Sequence, residues 1–321
     1  MGNLLLAIFM AIFAYSTVNI GLALEKKGAN LLPKVEETTL WQNIKNFFTN
    51  KFWVIGFILT NLSFVFLAIA MNQGTLSIVA PMQAVGLIVL AVFSFFYLKE
   101  SIGITEIITF VLIVIGIVLL GVTNSDSETI YTLSEINQHF VKNSSIIYLV
   151  CISLIPGILC IYSLLKKHQF TGILFALTGG IYSGIGAIFT KAVFSAIDSA
   201  NFRDTLIVAL TSWFWGIYFL VVITFNILSA ILPQIAFQKN RAVVATPIFA
   251  VMALLTPFFG GVIIFSEWSG GLIWVTALRI IALVIITIGV LLLSYSSTKT
   301  KVQEEKDIET AIDNEDSKEK T

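Results

Sequence analysis

Nine runs of roughly twenty residues recur along the chain with almost no acid or base among them, the length that carries a helix through the hydrocarbon core of a bilayer. They fall at 4–24, 52–72, 76–98, 104–122, 146–165, 171–197, 213–237, 242–266 and 271–295. Apolar residues make up 57% of the chain and charged residues only 12%. A soluble protein has about 25% charged residues and no such runs. This excludes a soluble domain, a coiled coil, a disordered chain and a disulfide scaffold. The sequence predicts an all-α, polytopic transmembrane helical bundle of nine spans.

Little else in the composition points elsewhere. Basic and acidic residues balance at 19 each, so nothing suggests a nucleic-acid partner. Cys151 and Cys160 share one apolar run. Nine residues apart on a helix they stand about 13 Å apart along its axis, too far to bond to each other. His139 and His168 lie in different links, and no His/Cys metal cluster forms. No positive cluster precedes 4–24, and Lys26 and Lys27 follow it. A secretory signal has the reverse order, so this run is expected to stay as a span.

Nine spans put the termini on opposite sides. Lys26, Lys27, Lys34, Lys45, Lys51, Lys99, Lys166, Lys167, Lys239, Arg241 and five tail lysines share one side, against Lys142 and Arg203 on the other. That 15-to-2 bias puts the basic side in the cytoplasm, with the N-terminus outside and the C-terminus inside. In the cytoplasmic link 25–51, Leu40, Trp41, Ile44, Phe47 and Phe48 recur at helical spacing, as a helix on the membrane surface or a gate over a pore. In the outer link, Thr132-Leu133-Ser134-Glu135 has the form of a capping box, which predicts a short helix. The tail from Thr298 holds eight acids, five lysines and no aromatic residue, a composition of disordered chain.

The chain also repeats itself. Val79-Ala80-Pro81-Met82-Gln83-Ala84-Val85 matches Ala245-Thr246-Pro247-Ile248-Phe249-Ala250-Val251 at an offset of 166. Ala70 then meets Ala236, and Asn72 meets Gln238. Asn61 meets Asn226 at 165, and Tyr15-Ser16 meets Tyr182-Ser183 at 167. Equivalent spans lie five apart and so cross in opposite senses. The expected layout is an inverted 4+1+4 repeat: residues 1–122 hold spans one to four, 123–145 an outer link, 146–165 a linking fifth span, 166–297 spans six to nine, and 298–321 a charged tail. Inverted repeats that rock about a midplane site are a transporter device.

Counting from span ends puts Tyr15, Ser16, Asn61, Tyr182, Ser183 and Asn226 at mid-depth, with Gln83 and Gln234 as second choices. Polar side chains there need a partner or a watery cavity. They line a substrate site or bond between helices. No Asp or Glu lies at mid-depth, although proton-coupled carriers usually place one there. Lys191 and Arg279 are the charges well inside spans, both toward the outer end. Each snorkels to the headgroups, pairs with Glu267, or binds an anionic group. Pro81, Pro156, Pro233, Pro247 and Pro257 lie within the membrane, and each frees a carbonyl and bends its helix. Gly180-xxx-Gly184 has the spacing of close helix contact.

Together these residues resemble the drug/metabolite transporter superfamily (DMT, EamA-like), and within it the NIPA family of magnesium transporters. Leu24-Glu25-Lys26-Lys27-Gly28 is similar to the basic run and glycine closing that family's first helix. Thr190-Lys191 matches its sixth-helix lysine. Thr246-Pro247-Ile248-Phe249 with Phe265-Ser266-Glu267-Trp268 resembles its eighth helix, and Glu128, Thr132-Leu133 and Glu135 resemble its link between helices four and five. The resemblance covers about 4–295. It departs at Leu62, where the family carries an acid.

The resemblance implies a carrier of Mg²⁺, with the hydrated ion as substrate. The alternatives are a DMT/EamA-type permease for a small organic metabolite or drug, and a non-transporting receptor or assembly protein. An enzyme is not expected, because no paired acids or nucleophile motif share a depth. No cofactor and no firm metal ligands are assigned. The partners expected are the lipid bilayer, the small solute and a second copy in a homodimer, in the plasma membrane.

Overall fold

The computed structural model describes residues 4–32, 39–98, 103–123, 131–165, 171–198, 201–239, 242–268, 272–293 and 295. Every regular element among them is helical. They are α1 (Leu4–Asn30), α2 (Leu40–Thr49), α3 (Lys51–Gln73), α4 (Leu76–Val79), α5 (Gln83–Phe93), α6 (Ile104–Val122), α7 (Leu133–Val141), α8 (Asn143–Leu165), α9 (Thr171–Ser195), α10 (Phe202–Thr211), α11 (Trp213–Lys239) and α12 (Ala242–Ile263). The last, α13, runs Ile273–Leu293. The Ser269-Gly270 link and the tail from Thr298 lie outside the described residues.

Seven of these segments are long and apolar enough to cross a membrane: Leu4–Glu25, Lys51–Gln73, Leu76–Tyr97, Ile104–Val122, Ile173–Ser195, Trp213–Leu232 and Ile273–Leu293. Each coincides with an expected span. An eighth arises if α7 and the start of α8 are one span bent by 71°. The expected span at 242–266 falls on α12, whose apolar part Ile248–Ile263 is shorter. The chain is an integral membrane protein. Its outer surface agrees: Ile107, Val111, Val114 and Val118 form an exposed apolar stripe along α6, while Ile113, Gly116 and Leu120 on the other face are buried. Facing water, such a stripe would be a large liability; facing lipid it costs nothing.

Two sets of helices pack in the same pattern. α1 packs most extensively on α3 and then on α5, and α9 on α11 and then on α12. The partners of α1 and α9 are thus the helices at repeat-related positions in the sequence. Glycines set the closest approaches. Gly21 lies against Gly56 and Thr60, Gly86 against Tyr15, and Gly180 and Gly184 against Phe249, Met252, Thr256 and Pro257. The Gly180-xxx-Gly184 spacing is therefore a real helix contact. α6 lies along α13, with Gly116 on Ile286 and Gly289 on Ile113.

The third expected span is not one regular helix. After α4 the chain tightens into a 3₁₀ turn at Ala80–Met82 before α5, and it ends in a π turn at Ser94–Leu98. Pro81 explains the first irregularity, since it has no N–H and its ring crowds the carbonyl four residues back.

The links are also structured. α2 carries its own capping box, in which the Thr39 N–H donates to Gln42 Oε1 (3.1 Å) and the Gln42 N–H to Thr39 Oγ1 (3.4 Å). Trp41 and Phe48 are exposed, and the Phe47 and Phe48 rings pack tilted and edge-on against Trp53, each with centres 5.2 Å apart. This suits a helix lying at the membrane surface. The second box also forms, with the Thr132 N–H donating to Glu135 Oε2 (2.7 Å) and the Glu135 N–H to Thr132 Oγ1 (3.3 Å), at the start of α7. α10 falls in a stretch that the apolar runs leave as a link, and no motif there points to a helix.

Candidate functional site

The hydrogen bonds that tie the first half of the chain to the second gather at one end of the bundle. α3 ends at Gln73, Gly74 and Thr75 are extended, and α4 begins at Leu76. This tight turn is buried, with Thr75 and Ser77 each 2% exposed. Lys191 of α9 donates to the carbonyls of Met71 (2.5 Å) and Gly74 (2.7 Å). Glu267, in the loop after α12, accepts from the Leu76 N–H (2.5 Å, Oε1) and the Ser77 N–H (2.7 Å, Oε2). Each charge opposes a helix end of the other sign, an ammonium at C-terminal carbonyls and a carboxylate at N-terminal amides. The two charges also attract one another. Asn72 returns the contact, its Nδ2 donating to the carbonyls of Phe194 (3.0 Å) in the last turn of α9 and Ile197 (2.5 Å) just beyond it.

Neighbouring elements cover this knot. The Tyr131 N–H donates to Ser195 O (3.2 Å), and the Tyr131 ring centre lies 6.0 Å from Lys191 Nζ. His139 Nδ1 lies 2.9 Å from Ile264 O, and Tyr218 donates to Asn137 Oδ1 (2.7 Å), so α7 joins both the α12 loop and α11. Ser266 has a left-handed φ of 54°, which turns the chain just ahead of Glu267. A non-glycine residue takes that conformation only where its surroundings hold it.

Snorkelling of the two intramembrane cations is overturned. Lys191 is fully buried and Arg279 is 2% exposed. Arg279 donates through Nε (2.9 Å) and Nη2 to Thr123 O at the end of α6, and its guanidinium lies 5.3 Å from the Trp268 ring centre. A helix-end carbonyl in an apolar surrounding is a stronger acceptor for these cations than distant headgroups. Glu106 caps in the same way, accepting from the Gly103 N–H (2.6 Å).

The structure places the eight expected site residues as follows. Tyr15 is half-buried against Gly86 of α5, with Ser16 half-buried beside it. Tyr182 and Ser183 are half-buried on α9, the Tyr182 ring 5.0 Å from that of Phe225. Asn61 and Asn226 are both exposed. Each turns its Nδ2 back to its own helix, Asn61 to Phe57 O (2.7 Å) and Asn226 to Val222 O (2.8 Å), so the repeat-related pair behaves alike. Asn226 also lies against Gly186. Gln83 is half-buried at the start of α5. The Gln234 and Pro247 side chains lie outside the described residues, although both positions are helical. Pro81 is buried in the 3₁₀ turn Ala80–Met82.

At the other end, Thr60 donates to Glu25 Oε1 (2.8 Å), and Lys27 Nζ lies 4.7 and 4.2 Å from the ring centres of Phe52 and Tyr97. Sequence reasoning missed Asn72 and Tyr131 as members of the buried knot. Asn72 is readable from the sequence only as a repeat match to Gln238, and nothing there marks it as buried. Among the described residues no group of three or more His, Cys, Asp or Glu side chains converges as a metal site. The oxygen donors that do converge are backbone carbonyls.

The family model described as magnesium transporter NIPA matches residues 2–299. The chain belongs to that family. A probable magnesium transporter NIPA9 from Arabidopsis thaliana is 25% identical over 60% of this chain and 56% of its own length. An uncharacterised protein of Methanocaldococcus jannaschii is 34% identical over 22% of this chain and 52% of its own. The NIPA chain thus spans little more than half the length of either relative. No solved structure matches it.

Proposed function

We propose that this NIPA-family chain carries Mg²⁺ across a membrane by alternating access between two inverted repeats, residues 1–122 and 166–297, joined through 123–145 and a fifth span at 146–165. The match to the family over residues 2–299 carries the reading. The like packing of α1 with α3 and α5, and of α9 with α11 and α12, supports two related halves. The count of nine spans proposed rests on the apolar runs, the basic asymmetry then puts the N-terminus outside and the tail inside, and the plasma membrane is the compartment proposed. Lys191, Glu267 and the α3–α4 turn then form a closure at the outer end, which alternating access requires whenever the path is open inward.

The site proposed is lined by Tyr15, Ser16, Asn61, Tyr182, Ser183 and Asn226, with Gln83 and Gln234. All are neutral. Mg²⁺ dehydrates reluctantly and usually keeps several waters, so neutral oxygens acting through water suit it. With each asparagine Nδ2 engaged by its own helix, Oδ1 is the atom left to accept from such a water. Asn61→Ala and Asn226→Ala are each expected to lower Mg²⁺ uptake into proteoliposomes several-fold with unchanged yield. Wild-type uptake by both single variants and by the double variant would show that these asparagines are structural. Export or uptake of a small organic solute is the second reading, with the edge-on ring pair of Tyr182 and Phe225 as the contact proposed for it.

The orientation has its own test. With Cys151 and Cys160 replaced, a single cysteine at Ser134 is expected to react with an impermeant thiol reagent in whole cells, and one at Asn43 is not. Labelling at Asn43 from outside would reverse the orientation.

A further inference from the structure

Lys191 places a positive charge on an oxygen site. Its ammonium touches two backbone carbonyls at the end of α3, Met71 O at 2.5 Å and Gly74 O at 2.7 Å, with the buried carboxylate of Glu267 bound at the start of α4 just beyond. Lys191 is fully buried and Glu267 is 3% exposed. Thr75 and Ser77, with hydroxyl oxygens 3.4 Å apart, sit in the same turn. Carbonyls, a carboxylate and hydroxyls are the ligand set of a hard cation.

We propose that this is a divalent-cation site in the outer closure, and that Lys191 is a tethered cation keeping it filled between turnovers. This rests on the magnesium reading and adds an exchange step to it. A hydrated divalent ion arriving from outside takes the Met71 and Gly74 carbonyls and Glu267, and Lys191 leaves. Lys191 shares the tie between α9 and the end of α3 with Asn72, so its departure weakens that contact between the halves and leaves Asn72 to hold it. Occupancy and opening are thereby linked: with neither cation present, the Met71 and Gly74 carbonyls lose their donor, and the Glu267 charge keeps the Leu76 and Ser77 N–H groups but lacks a counter-cation.

Mn²⁺, followed by electron paramagnetic resonance on purified full-length protein in detergent, reports binding without requiring transport. Lys191→Met is expected to bind Mn²⁺ at least about tenfold more tightly than wild type, a change of the size that one removed neighbouring charge supplies. Mg²⁺ should displace it, and adding Glu267→Gln should abolish the gain. Equal affinity in wild type and Lys191→Met would overturn the proposal. If Lys191→Met does not yield monodisperse protein, wild type decides. Acetylation of Lys191, read by mass spectrometry, is expected to quicken several-fold in Mg²⁺ and not in K⁺, and an unchanged rate overturns the site. Tighter binding by the variant, with no Mg²⁺ uptake by wild-type proteoliposomes, would keep the site and refute the transport reading. Uptake without tighter binding would do the reverse.

Discussion

Glu267→Ala is expected to abolish transport and to destabilise the protein by about 3–5 kcal/mol, the usual cost of removing one partner of a buried charged pair. Two losses add. The Leu76 and Ser77 N–H groups lose their acceptor at the start of α4, and the buried Lys191 ammonium loses its counter-charge. Glu267→Gln keeps an acceptor oxygen and loses only the charge, so it should fall between the two. The measurement is the temperature at which the size-exclusion peak of detergent-solubilised protein collapses. A Glu267→Ala peak as heat-stable as wild type would show that the carboxylate bears little on the closure.

A second large effect is expected where α9 meets α12. A side chain at Gly184 would run into Thr256 Cβ and Cγ2 and the Pro257 ring, neither of which rotates away. Overpacking of this kind costs about 1–3 kcal/mol for small additions. Gly184→Leu should therefore lose most properly folded protein, and Gly184→Ala a smaller share. Gly216 on α11 is the control, since nothing lies within 4 Å of an added Cβ. Gly216→Ala should be neutral or stabilising by up to about 1 kcal/mol, because alanine restricts the unfolded chain and favours helix. Equal yields from Gly184→Leu and Gly216→Ala would mean that α9 and α12 do not pack as described.

The helices were legible because their apolar runs are long, α7 because Thr132 to Glu135 holds capping spacing, and α2 because Leu40, Trp41, Ile44, Phe47 and Phe48 form a helical stripe, although its own Thr39–Gln42 cap was not. Gly180 and Gly184 were readable as a contact, but not their partner, which depends on which helix happens to cross there. The buried knot was only half legible. Lys191, Arg279 and Glu267 stand out in any apolar run, yet their acceptors are mostly backbone groups at helix ends. A sequence shows no carbonyl as different from another. Asn72 was hidden for the same reason: its role comes from where α9 ends, 122 residues away. Pairing of Lys191 with Glu267 is among the outcomes the sequence allows, but the helix-end carbonyls that hold Lys191 and Arg279 come within reach only through the fold.

Purified protein reconstituted into liposomes loaded with a Mg²⁺-sensitive dye tests the central claim most directly. Addition of external MgCl₂ should give a saturable rise in internal Mg²⁺ that empty liposomes lack and that Glu267→Ala liposomes lack too. A dye signal identical to that of empty liposomes, from vesicles that take up a small organic solute, would contradict it.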